Sequence, residues 1–282
     1  MKLSVKLCTS LILLSIFFVG VFSLNPGFIY APKDITVAAD DQIKETIEQE
    51  NEKSVSQEVY DTQEKDGSEI EVNPDTQEVL DENQKIAYLT FDDGPSPEVT
   101  PQILDILKEY DIKATFFIIG SQAEKNPDLI LQIKNEGHVI ANHSYGHDYK
   151  YLYSNTNNFL SDIKKTEKIL KSILADDFDS SLIRFPGGSH GDSKAAARRA
   201  AKANGYKYVD WNVVNGDAEG MYIPAPKLLN RVQQTLKNQK EAIVLMHDGK
   251  TKQTSADALP DIIDYLKSQD YIFRSLETYD FD

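Results

Sequence analysis

The 282-residue chain is 40% hydrophobic and carries a formal charge of −15, and its length suits one large domain or two small ones. The charge is uneven: between Asp40 and Glu82 there are 16 acidic residues against 3 lysines, a net of −13, which leaves the remainder close to neutral. No basic cluster is present to neutralise phosphates, which argues against nucleic acid as a partner.

In chain order, Lys2 and Lys6 precede an apolar run from Leu7 to Leu24, the pattern of a secretory signal or a short membrane anchor. The run lies near the lower limit for spanning a bilayer, about 17–25 residues. No small-x-small cleavage site follows in "VFSLNP". Lysines on the N-terminal side put the body of the protein outside the cytoplasm by the positive-inside rule. Residues 1–24 are therefore expected to be a signal peptide or N-terminal anchor, and the protein to be extracellular, cell-wall or membrane-associated. Cys8, the only cysteine, has no partner for an internal disulfide and is assigned no role.

Residues 25–84 read as an acidic, mostly disordered linker. The stretch "KETIEQENEKSVSQEVYDTQEKDGSEIEVNPDTQE" is too polar to bury the apolar area that would offset its ordering entropy. A partly helical piece around Gln42 to Val55 is compatible with it.

Residues 85–282 have a different texture and form the third region. Strand candidates are "IAYLTF", "ATFFIIG", "HVIAN", "LIRFP", "KYVDWNV", "AIVLMH" and "YIFRSL". Between them lie helix candidates: "VTPQILDILKEY", "DLILQIKNEG" with Gly137 as C-cap, "NNFLSDIKKTEKILKSIL", "SKAAARRAAKANG", "APKLLNRVQQTLKNQ" and "ADALPDIIDYLKSQ". About seven alternations of strand and helix predict a parallel sheet with crossover helices, either an open doubly wound sheet or a barrel. Polar residues favour the barrel, because they gather at strand ends: Asp92 and Asp93, His143, Arg184, Asp217 and His247. In a (β/α) barrel such ends converge on one rim, whereas an open sheet binds its ligand at a single crevice. The expected fold is a distorted (β/α) barrel of about seven parallel strands.

In "NHSYGHDY", His143 and His147 are four apart, a spacing that on a helical turn points both rings to one ion. Two imidazoles and one carboxylate leave coordination positions open for water and substrate. Asp92 and Asp93 in "LTFDDGP" then acquire separate jobs, one as ligand and one as base, with Arg184 as a counter-charge. His247 titrates near neutral pH and suits a general acid, which Asp217 could orient. The helical His-Glu-x-x-His pattern of many metallopeptidases is absent from "HSYGH".

"TFDDGP", "HSYGH", "RFPGG", "WNVVNGDA" and "IVLMH" stand in the order and approximate spacing of the five motifs of the NodB-homology polysaccharide deacetylases, carbohydrate esterase family four. This part of the chain resembles that family from about Lys85 to Phe281. The segments "DIKATFFIIG", "IKNEGHVIANHS" and "ALPDIIDYLK" look similar to bacterial peptidoglycan N-acetylglucosamine deacetylases. The resemblance implies Asp92 as general base, Asp93, His143 and His147 as metal ligands, and Arg184 positioning Asp92. It implies His247 as general acid with Asp217 as its charge partner. Leu245 would line the pocket for the acetyl methyl, and Gly187 would offer its backbone N–H to the oxyanion. The implied cofactor is one divalent ion, zinc first, with cobalt, nickel, manganese and iron as alternatives. The implied activity is hydrolysis of N-acetyl groups from an extracellular N-acetylhexosamine polysaccharide, foremost peptidoglycan, by a monomer. Chitin-type oligosaccharide, exopolysaccharide, acetylated xylan, or an inactive carbohydrate-binding relative are the alternatives.

Two positions depart from the family's pattern. Gly187 stands where Arg-x-Pro-Tyr has its tyrosine, and Ala218 where the fourth motif ends in tryptophan. Both changes spare the catalytic groups and alter the surface that meets sugar. Trp211, upstream of Ala218, reads as a core strand residue.

Overall fold

The computed structural model describes residues 84–176 and 178–281. The Leu7–Leu24 run and the acidic linker lie outside these residues. Among the described residues no helix is long and apolar enough to cross a membrane.

The strands are β1 (Lys85–Asp92), β2 (Thr115–Ile118), β3 (Val139–Asn142), β4 (Leu182–Ile183), β5 (Lys207–Tyr208), β6 (Val213–Val214), β7 (Glu241–His247) and β8 (Tyr271–Phe273). Helices α1 (Thr100–Glu109), α2 (Gly120–Lys125), α3 (Pro127–Asn135), α4 (Tyr149–Leu152), α5 (Thr156–Leu174), α6 (Ala195–Ala203), α7 (Ala225–Leu236) and α8 (Gln253–Ser268) connect most of them. The sequence pattern anticipates all but α2 and α4, which are too short to show a 3.6-residue period.

All strand pairings are parallel, in the order β5-β4-β3-β2-β1-β7-β6. β8 adds to β1 at Lys85–Ala87, below the β2 pairing at Thr90–Asp92. The segment read as one strand, "KYVDWNV", is two: β5 and β6 lie at opposite ends of this path. Only Val209–Asn212 joins them, a span of at most about 17 Å. Seven strands laid flat at about 4.8 Å spacing would measure about 29 Å across. The sheet must therefore curl until its edges nearly meet, which gives the distorted barrel.

Side chains alternate across the strands, and the curl gives the two faces different jobs. Leu89, Phe91, Phe116, Ile118, Val244 and Met246 point outward into a cluster with Ile103, Leu104 and Leu107 of α1 and Leu259, Ile262 and Ile263 of α8. Ile86, Tyr88, Phe117, Ala141, Val209, Ile243 and Leu276 fill the lower interior. Burying each large side chain contributes about 1.5–3 kcal/mol. The next inward positions along β1 and β7 are Thr90, Asp92, Leu245 and His247. The apolar plug is thus the floor on which the polar rim stands.

Candidate active site and metal centre

Asp92 ends β1 on the inner face and is 2% exposed. Asp93 follows with φ of 78°, a left-handed conformation that aspartate tolerates better than most residues. Both adjacent carboxylates reach His143, but only that of Asp93 also reaches His147. Asp93 Oδ1 lies 3.6 Å from His143 Nε2 and 3.3 Å from His147 Nε2. The three ligand atoms lie within 4.8 Å of one another.

His143 and His147 are brought together by a loop rather than a helical turn. Ser144 and His147 have φ of 69° and 53°. Asn142 Oδ1 accepts from Ser144 N at 2.9 Å, and Ser144 Oγ accepts from His147 N at 3.1 Å. These side-chain bonds to backbone hold a conformation that the four-residue spacing alone does not specify. His143 Nδ1 is 2.9 Å from the Arg184 carbonyl. A carbonyl only accepts, so Nδ1 carries the hydrogen and Nε2 presents its lone pair to the site. Burial pushes His143 down to about 3, which keeps the ring neutral, as a ligand must be.

The residues fit a cation. Asp93 Oδ1 is buried without a hydrogen-bond partner among the described residues, yet it faces His147 Nε2 and also His143 Nε2, whose lone pair cannot donate to it. A divalent ion would satisfy all three atoms, and two imidazoles with one carboxylate is a donor set suited to zinc and its neighbours.

Asp92 turns Oδ1 to Arg184, while its Oδ2 lies 3.6 Å from His143 Nε2. The arginine is fully buried, with Nη1 2.9 Å from Asp92 Oδ1 and 2.7 Å from Thr90 Oγ1. Nε donates to the Val209 carbonyl at 3.2 Å, and the guanidinium stacks 4.0 Å from the centre of the Phe117 ring. A buried guanidinium is tolerable only when so fully partnered. Burial raises the Asp92 carboxyl above the ordinary carboxylate range, against the opposing pull of Arg184.

On the other side of Asp93, His247 Nδ1 is 2.7 Å from Asp217 Oδ1, and its Nε2 is 4.0 Å from Asp93 Oδ2. Asp217 Oδ2 accepts from the His247 backbone N at 2.8 Å and from Ser255 Oγ at 2.6 Å. Burial disfavours the His247 cation, but the bond to Asp217 and the charges of Asp217, Asp92 and Asp93 outweigh it and raise the ring to about 9. All the proposed catalytic and ligand residues therefore meet on one rim.

Leu245 lies two residues before His247 on the same face of β7 and is 7% exposed. Gly187 is exposed with φ of 68°. Ala218 is exposed, and Met221 and Tyr222 on the same loop are 72% and 61% exposed. Trp211 is half-buried in the crossing between β5 and β6 rather than in a strand, and its ring lies 5.7 Å from the Arg184 guanidinium.

Asp248 was not among the residues singled out from the sequence. It is fully buried, and its Oδ2 accepts from Thr100 Oγ1 at 2.6 Å. Its backbone N donates to the Asp92 carbonyl at 3.1 Å, and its carbonyl accepts from Ser96 Oγ at 2.7 Å. A Cβ on Gly94 would lie 2.1–2.4 Å from this carboxyl. Asp248 thus locks the turn after β1 to the end of β7. The signal for it was a carboxylate directly after "IVLMH", at the end of an apolar strand.

The family model described as polysaccharide deacetylase matches residues 80–209. A peptidoglycan-N-acetylglucosamine deacetylase of Bacillus cereus is 38% identical over 196 residues, covering 68% of this chain and 86% of that one. A carbohydrate esterase family four esterase of Streptococcus mutans superposes with a TM-score of 0.64 at 34% identity, covering 68% of this chain and 86% of its own. The catalytic domain of a peptidoglycan N-acetylglucosamine deacetylase from Eubacterium rectale gives a TM-score of 0.62 at 33% identity, over 71% and 91%. The chain belongs to the polysaccharide deacetylase family, whose members are hydrolases acting on carbon–nitrogen bonds.

Proposed function

We propose that this chain removes N-acetyl groups from the N-acetylhexosamine units of peptidoglycan, releasing acetate, with a zinc ion at Asp93, His143 and His147. The observation that carries the reading is the division of labour on one rim: a three-ligand cation site flanked by an Asp92–Arg184 pair and a His247–Asp217 pair. An inactive carbohydrate-binding relative would be expected to lack a ligand or an acid–base group, and every one is present here. The similarity to peptidoglycan deacetylases supports the choice of glycan.

An ion held by Asp93, His143 and His147 would supply Lewis acidity to the acetyl carbonyl and to the attacking water. Asp92 accepts a proton from the attacking water, with Arg184 fixing its carboxylate. The backbone N–H of Gly187 donates to the oxyanion that develops on the carbonyl. His247 Nε2 protonates the leaving amine as the carbon–nitrogen bond breaks, while Asp217 holds the Nδ1–H tautomer. Water is consumed, and acetate and a free amine leave. Leu245 lies beside this chemistry, where the acetyl methyl would sit.

The N-terminal lysines and apolar run support a location outside the cytoplasm, with residues 25–84 as tether and residues 85–282 as catalytic domain. The deciding experiment incubates the full chain with N-acetylglucosamine oligomers and with purified peptidoglycan, and reads acetate release and glycan mass. Release that chelation abolishes and a divalent ion restores is the expected result. No release from any acetylated glycan would sink the enzyme reading.

A further inference from the structure

Tyr149 is 52% exposed, one of three exposed aromatic side chains among the described residues, with Tyr151 and Tyr222. It opens α4, directly after the loop that carries both histidines. Its ring centre is 5.2 Å from that of His147. Its hydroxyl end lies over Gly187, where an added Cβ would come within 3.2 Å of both Cζ and Oη. The ring thus bridges the candidate metal centre and the glycine-bearing loop after β4.

This position is braced. Tyr153 stacks behind Tyr149 at 6.4 Å and donates through its hydroxyl to the Pro186 carbonyl at 2.7 Å. Lys194 Nζ lies 4.5 Å from the Tyr153 ring centre and donates to the Pro186 and Gly187 carbonyls at 3.1 and 3.0 Å. Asp148 caps α4 by accepting from Tyr151 N at 3.0 Å. The exposed ring is thus backed by Tyr153 and stands beside His147 at the edge of a polar site, where ligand pockets combine apolar surface with a few placed polar groups.

We propose that Tyr149 is a sugar-stacking platform, its ring packing against the apolar C–H face of the pyranose that occupies the candidate metal centre. The inference rests on the polysaccharide reading and deepens it by naming what holds the glycan. A β-linked pyranose has its C–H groups on flat faces and its hydroxyls at the edge. Stacking such a face removes apolar area from water on both partners without leaving a hydroxyl unpaired. The absence of a side chain at Gly187 is then part of the device, since a Cβ there would crowd the ring at 3.2 Å.

The test uses the full chain. Calorimetry measures binding of the N-acetylglucosamine pentamer to the metal-stripped protein, and acetate release gives kcat and KM for the metal-loaded one. Tyr149→Ala and Tyr149→Leu are expected to weaken pentamer binding and raise KM about tenfold, with kcat within about threefold of the parent. Tyr149→Phe is expected to restore both, because the ring rather than the hydroxyl is invoked. Unchanged affinity in the alanine and leucine variants would overturn the proposal. So would a loss of kcat at constant KM that Tyr149→Phe shares, or failure of the parent chain to bind the pentamer. A parent that binds the pentamer but releases no acetate counts against the deacetylase reading, and the affinity series still decides the platform.

Discussion

At the scale of single residues, two adjacent carboxylates are separated by one backbone torsion. Asp92 stays in the strand and meets Arg184, whereas Asp93, with φ of 78°, turns toward His143 and His147. Substitution should therefore separate their roles. Asp92→Asn is expected to keep the metal, measured by atomic emission, and to lose turnover by about 10²–10⁴-fold. His143→Ala should lose both metal and turnover. An emptied site in Asp92→Asn would mean that the roles of the pair are reversed. The acid on the other flank makes a pH prediction. His247 is raised from 6.5 to about 9, so its protonated, Asp217-paired form contributes stability in full below pH 6.5. That contribution is lost as pH rises through about 9. The alkaline limb of kcat/KM should fall near the same value, and Asp217→Asn should move it down toward 6.5. An unmoved limb in that variant would show that another group sets it. The five motifs made these residues legible in the sequence, since each chemical group stands at a strand end beside small or turn-forming neighbours. What stayed hidden was direction: nothing in "FDDGP" says which carboxylate turns.

At the scale of elements, the strands and long helices were readable because apolar periodicity over four or more residues reports a buried face. The loops were not. His143 and His147 have a helical spacing but are carried by a turn with two left-handed residues, held by Asn142 and Ser144 side chains that no periodicity reveals. The split of "KYVDWNV" into β5 and β6 was equally invisible, because each piece is two residues long and its partners lie on opposite edges. The turn after β1 depends on a contact just as remote in sequence, that of Gly94 with Asp248. Gly94→Ala would drive a methyl to within 2.1 Å of a fully buried carboxyl. Such overpacking costs about 3 kcal/mol, which for a domain of this size is roughly 6–12 °C in melting temperature. Differential scanning calorimetry reads it directly, and a drop below about 2 °C would show that Asp248 is free to move aside.

At the scale of the whole molecule, the curled sheet, built from strands between Lys85 and Phe273, places every proposed catalytic group on one rim. The segment 85–282 is expected to fold alone and to release acetate from soluble oligomers within about twofold of the full chain, while losing association with the membrane fraction. Fractionation of cells expressing both forms checks the second half of that expectation. The curl also fixes when the chemistry becomes available. β1 pairs with β2 only at Thr90–Asp92, whereas its partner along the whole Ile86–Asp92 length is β7, and Thr90 donates to the Val244 carbonyl across 154 residues of sequence. The proposed base and acid therefore become neighbours only through a contact between the first and the last third of the domain. Contacts of such long range form slowly and late. A chain still emerging from synthesis holds Asp92 and His247 apart until β7 docks, so the proposed base and acid meet only once the sheet is complete.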